Sequence, residues 1–218
     1  MVNGQALFEA IGAFRTAAQK GKRPVNPSGG QGNPYFEVVE SLRELAVEEH
    51  IPIVVIGGVA GVYHGYERTT DDMDIVISPS DYEKFIRNCY SYGFVLDMKH
   101  IGLAAHVYYK GLKIEVLKGG TMTGAKEGLI EIPSPVEMGV THGLEFVPIE
   151  RWFQLKIASG RDKDLGDITE LLKRTKPEQH EDIEAYLRDF NPKYAEKFLE
   201  HVDRAQREKQ RESLFLGK

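Results

Sequence analysis

Apolar residues recur at helical spacing over residues 5–19, where Leu7, Ile11, Phe14 and Ala18 share one face. The same pattern returns over 35–49, with Phe36, Val39, Leu42 and Leu45 on a single stripe. Between them, residues 21–34 hold three prolines and clustered glycines with no apolar period, the composition of a linker or loop. The first helix is therefore expected to be an arm, packed on the body or on a partner chain.

The pattern then changes. Ile51–Ile56 is a short apolar run rich in β-branched residues and closed by Gly57-Gly58, which predicts a buried strand and a tight turn. A short helix is expected over 59–66 and a second buried strand over 73–78. Ser80 is placed to cap a helix over 81–93, with Glu83 completing a capping box and Gly93 ending it. Residues 93–99 predict a strand, 106–120 two strands joined at Lys110-Gly111, and 128–133 another short strand. After Pro148 the spacing is helical again, with helices expected over 149–160, 164–174, 177–190 and 192–213. The fold class expected is α+β (α/β), a mixed sheet flanked by helices with a C-terminal helical region. The divisions are an N-terminal arm and linker (1–33), a core (34–147) and a helical region (148–218).

Composition narrows the setting. The chain has 218 residues, 41% of them apolar, enough for a sizeable core. No run of 18 apolar residues is present, so no membrane partner is expected, and the N-terminus lacks the features of a secretion signal. The single cysteine, Cys89, rules out a disulfide framework and reads as a small buried hydrophobe. A cytoplasmic location is the default expectation. The net charge of -5 argues against a general nucleic-acid binder, although basic residues gather between Arg151 and Lys176.

The candidate chemistry lies between Ile56 and Ile77. Asp72 and Asp74 are two apart, and residues i and i+2 of a strand face the same side. Two adjacent carboxylates repel unless a cation sits between them, and Mg²⁺ meets that need through oxygen ligands. Gly57 and Gly58, without side chains, let a triphosphate approach the backbone. Each element alone is weak, and a charged loop or a plain turn is the simpler reading of either. Their order within one strand–turn–helix–strand unit favours an active site.

Gly57-Gly58, Gly65, Arg68, Thr70, Asp72 and Asp74 together resemble the signature of the DNA polymerase beta-type nucleotidyltransferase superfamily. The G-x-x-R-x-T-x-D-x-D form is most similar to minimal nucleotidyltransferases and AbiEii-type toxins. The resemblance implies that Asp72 and Asp74 bind Mg²⁺, with Mn²⁺ a possible substitute, and that Gly57, Gly58, Arg68 and Thr70 surround the nucleotide. Val59 stands where many relatives have a small hydroxyl residue. A third carboxylate is expected on a neighbouring strand, and Glu115 is the candidate, with Asp97 as fallback. Aspartate is commoner there in the family, and Glu115 also reads as a strand residue paired with Lys113.

A second segment, Leu155-Lys156 through Arg161, Lys163, Asp164 and Asp167, is similar to the L-K-x-x-A-x-R-x-K-D-x-x-D pattern of the same proteins. The resemblance implies that Lys156 reaches the triphosphate, while Asp164 is expected to cap the following helix. The histidines His64, His100, His106 and His142 are too scattered to suggest a metal site, and Trp152 and Phe153 read as core anchors. The function expected is transfer of an NMP from an NTP, such as ATP, to a hydroxyl of RNA (a tRNA end), protein or a small molecule. The toxin-like resemblance implies an antitoxin partner. The alternative is a non-catalytic nucleotide-binding or interaction module on the same fold.

Overall fold

The computed structural model describes residues 4–22, 24, 27, 32–97, 104–124 and 129–215. His100, half of the 21–34 segment, the Met98–Lys99 end of one expected strand and the start of another at Gly128 lie outside them. The fold is α+β. The chain divides into two compact units, one of Met1–Tyr63, Glu67–Thr121 and Glu131–Val147, the other of His64–Tyr66, Met122–Ile130 and Pro148–Lys218.

In the first unit, helices α1 (Gly4–Lys20) and α2 (Pro34–Glu48) precede strand β1 (Ile53–Ile56). A short helix α3 (Gly57–Tyr63) leads to β2 (Asp72–Ile77), then α4 (Tyr82–Asn88), β3 (Val95–Asp97), β4 (Ala104–Tyr109) and β5 (Leu112–Lys118). Two short strands, β6 (Met122–Thr123), which belongs to the second unit, and β7 (Ile130–Glu131), pair with each other, and β8 (Leu144–Phe146) follows in the first unit. Among the described residues, six strands form one mixed sheet in the order β3-β4-β5-β2-β1-β8. β1 runs antiparallel to β2, β2 parallel to β5, and β8 parallel to β1.

The sheet is two-faced because its strands alternate. Met73, Ile75, Ile114, Val116, Ala105 and Val107 are buried on one face, in a core shared with Leu7, Ile11, Phe14, Val39, Leu42 and Leu45 of α1 and α2. The first helix is thus packed on the body. Its buried stripe is Leu7, Ala10, Ile11, Phe14 and Ala17, with Ala18 exposed, so the expected face is turned by one residue. Asn33 joins the two helices: its Oδ1 accepts from the Tyr35 and Phe36 amides, capping α2, and its Nδ2 donates to the Ala6 carbonyl at 2.8 Å. The β4–β5 hairpin turns on Lys110 (φ 47°) and Gly111 (φ 86°), a positive pair suited to a two-residue connection.

Two local expectations are corrected. The residue capping α4 is Asp81, with no side-chain cap bond, and Ser80 lies one position too early. The helix also tightens into a 3-10 turn at Cys89–Tyr92 before ending at Gly93.

The second unit carries α5 (Ile149–Ser159), α6 (Asp162–Leu172), α7 (Pro177–Phe190) and α8 (Pro192–Phe215). Trp152, Phe153 and Phe198 are buried, with edge-on ring contacts at 5.2 Å for Trp152–Phe153 and Phe153–Phe198. Among the described residues, no helix is long and apolar enough to cross a membrane.

Candidate active site

The polar face of the sheet is assembled from the odd partners of the apolar alternation. On β2, Asp72 and Asp74 are partly buried on the face opposite Met73 and Ile75. Cα register then carries the row across the sheet: Asp74 pairs with Glu115 of β5, Glu115 with His106 of β4, and His106 with Asp97 of β3. The neighbouring row runs from Asp72 to Lys113 to Tyr108. Register partners project to the same face, so Asp72, Asp74 and Glu115 share one surface.

Gly57 explains why this strand end needs glycine. A Cβ there would lie 1.9 Å from the Asp74 Oδ2, and its φ is +65°. A side chain would both strain the backbone and displace the carboxylate. Gly58 is tight for another reason: its Cβ would stand 3.0 Å from the Thr70 Oγ1. The Thr70 hydroxyl donates to Asp72 Oδ1 at 2.9 Å and lies 3.2 Å from the Asp72 carbonyl, so Thr70 orients the first carboxylate. The Tyr35 hydroxyl, in turn, donates to the Thr70 carbonyl at 3.1 Å. Burial pushes the Tyr35 phenol up to about 12, with the charges of Asp71 and Asp72 adding to it. The path from α2 through Tyr35 and Thr70 to Asp72 is a positioning chain. Arg68 directs its Nε to the Thr69 carbonyl at 3.2 Å. Val59 is fully buried and packs into the core, so its side chain offers nothing to a phosphate.

Glu115 leans toward Lys113, whose Nζ is 3.9 Å from its Oε2. Among the described residues, no group of three or more His, Cys, Asp or Glu side chains stands assembled around a metal position. Carboxylate oxygens are the donors a hard divalent cation takes, and three carboxylates share this face, with a side-chain-free cradle against Asp74. His106 and Lys113 belong to this surface and are not visible as site residues from motifs. A signal for them does exist. A two-residue turn at Lys110-Gly111 forces Tyr109 opposite Leu112, and stepping three residues further along each strand places His106 opposite Glu115.

Lys156, in the second unit, is engaged locally. Its Nζ donates to Asp164 Oδ1 and to Asp167 Oδ2, the latter at 2.7 Å, and stands 5.4 Å from the Trp152 ring. Ser159 and Arg161 also donate to Asp164 Oδ2, Arg161 at 2.6 Å. Burial alone would raise the Asp164 carboxyl, but bonds from Lys156, Ser159 and Arg161 outweigh it and hold the group below its ordinary value. Asp164 is not the cap expected: α6 starts at Asp162 with Arg161 in the cap position, and Asp164 faces inward from the first turn. No family model matches the chain, and no curated protein matches it.

Proposed function

We propose that this protein is a divalent-metal-dependent nucleotidyltransferase that moves an NMP from an NTP to a hydroxyl-bearing acceptor. One observation carries the reading: Asp74 and Glu115 are register partners on adjacent parallel strands, on the face that also bears Asp72. Three carboxylates gathered on one face of the sheet repel one another, a cost that a bound cation would offset. Asp72 and Asp74 would hold the metal with Glu115 as third acid. The bound metal would offset charge on the triphosphate and support attack of the acceptor hydroxyl on the α-phosphorus, with pyrophosphate as the leaving group. Gly57 and Gly58 would let the phosphates reach the backbone, while Thr70, braced by Tyr35, holds Asp72 in line. Glu115, beside Asp74, is placed to take the proton of the acceptor hydroxyl.

The test is label transfer from each α-labelled NTP into a cell lysate fractionated into RNA, protein and small molecules. Wild type should transfer label only with Mg²⁺ or Mn²⁺. Asp74→Asn should lose about 3 kcal/mol of transition-state stabilisation, or roughly 100-fold in rate. Metal-dependent NTP binding without transfer to any fraction would favour the non-catalytic binding module. Absence of NTP binding would exclude both.

A further inference from the structure

The first unit holds a cleft of about 140 Å³ where α1, α2 and the end of α3 meet the outer strand β8. It opens on the helical side of the sheet. Phe146 pairs with Val55 and packs against the core that α1 and α2 cover. Asp74 pairs with Ile56, the next residue of β1, which by strand alternation faces the other way. The cleft is therefore separate from the carboxylate face.

Its walls combine aromatic rings with positive charge. Tyr63 and Phe146 lie parallel, with ring centroids 4.1 Å apart and planes within 2°, and Phe14 adds a third ring. Lys22 and Arg43 also line it. Lys22 is set there by the end of α1: Gly21 turns left-handed (φ 58°), and the Lys22 amide donates back to the Ala17 carbonyl at 3.0 Å. The Arg43 guanidinium stands 5.9 Å from the Phe14 ring centroid and pairs with Glu40 at 3.0 Å. That pair is solvent-exposed and so weakly held, and a guanidinium has five donors, which leaves Arg43 able to take a second carboxylate. Glu145 borders the cleft as well, so an anionic group belongs beside Lys22 and Arg43 and away from it. Size limits the occupant further. A cavity of about 150 Å³ accommodates benzene, whereas drug-sized ligands fill roughly 300–1,000 Å³. The space suits one ring and is too small for a nucleotide. We propose that this cleft is a binding site for a single-ring carboxylate, with the ring against Phe14, Tyr63 and Phe146 and the carboxylate on Arg43 and Lys22.

The experiment titrates benzoate into the full chain and follows it by isothermal calorimetry and saturation-transfer nuclear magnetic resonance. Wild type should bind about one benzoate per chain, with a Kd on the order of 1 mM. Benzyl alcohol keeps the ring without the charge and should bind about tenfold more weakly, as should acetate, which keeps the charge without the ring. Arg43→Gln should weaken benzoate binding about tenfold. Ala18→Glu, at an exposed position of the cleft wall, adds bulk and negative charge and should abolish it. Far-ultraviolet circular dichroism confirms that both variants are folded. Absence of saturable benzoate binding below about 10 mM in the wild type would overturn the proposal. Undiminished binding in Arg43→Gln and Ala18→Glu would overturn it too, since the benzoate would then lie elsewhere. Equal affinity for benzyl alcohol would overturn the carboxylate as the recognised group. Each of these results leaves the nucleotidyltransferase reading untouched.

Discussion

Replacing Lys156 with Met separates two roles that the sequence pattern leaves superimposed. The substitution keeps the length of the side chain and removes its charge. Lys156 is 8% exposed, Asp164 1% and Asp167 4%, so water cannot replace the lost ammonium without opening the α5–α6 junction. Removing one partner of a buried ion pair costs about 3–5 kcal/mol, because a buried charge is left uncompensated. Asp164 keeps its bonds from Arg161 and Ser159, so the lower end applies, about 3 kcal/mol. For a chain of this length about 2–4 °C accompanies each kcal/mol, giving a fall in Tm of about 6–12 °C. Trp152 is the chain's single tryptophan and lies in the same unit, so its fluorescence reports this transition selectively. Adding Asp164→Asn to Lys156→Met should recover part of the loss by removing the orphaned charge. The acid limb carries the sign. The Asp164 carboxyl titrates below its ordinary value of 3.8 in the folded protein. Its contribution is therefore complete above that value and is lost as pH falls below it. In Lys156→Met this acid dependence should shrink. An unchanged Tm together with weaker NTP binding would refute the reasoning and make Lys156 a phosphate ligand.

Two further substitutions test the positioning of the carboxylates. Gly57→Ala places a methyl group 1.9 Å from Asp74 Oδ2 at a left-handed backbone position; it should cost about 1–2 kcal/mol in urea melts and weaken Mn²⁺ binding as Asp74→Asn does. Tyr35→Phe removes the hydroxyl bond to the Thr70 carbonyl and should cost about 1 kcal/mol. Because the Tyr35 phenol is raised to about 12, its contribution is full below the ordinary value of 10 and fades as pH rises through about 12. The difference in ultraviolet phenolate absorbance between wild type and Tyr35→Phe measures that titration.

Local periodicity made much of the fold readable. The helices at Leu7–Ala17 and Phe36–Leu45, the hairpin at Lys110-Gly111 and the four helices after Pro148 all follow from spacing and turn chemistry within a few residues. Information carried by distant pairing was less accessible. β8 has three residues, too short a run for its Leu-Glu-Phe alternation to mark a strand by itself; it pairs along the edge of β1. Ser80 fails as a cap because the preceding turn delays the helix by one residue. Asp72 and Asp74 were legible through their spacing, but their relation to Glu115 depends on β5 inserting next to β2. The Lys156 cluster was legible as a pattern, but its ion pairs with Asp164 and Asp167 depend on how the helices α5 and α6 close on each other, which spacing alone does not give.

The position of β1 has a consequence for how the chain is made. Ile53–Ile56 is wholly apolar and becomes interior only when Leu144–Phe146 cover its outer edge. At ordinary synthesis rates of about 5–20 residues per second, that edge waits roughly 4 to 18 s after β1 emerges from the ribosome. For that interval an apolar strand with unsatisfied backbone donors and acceptors is available to any other extended segment nearby. A nascent chain paused before Gly143 therefore presents this apolar edge for as long as the pause lasts.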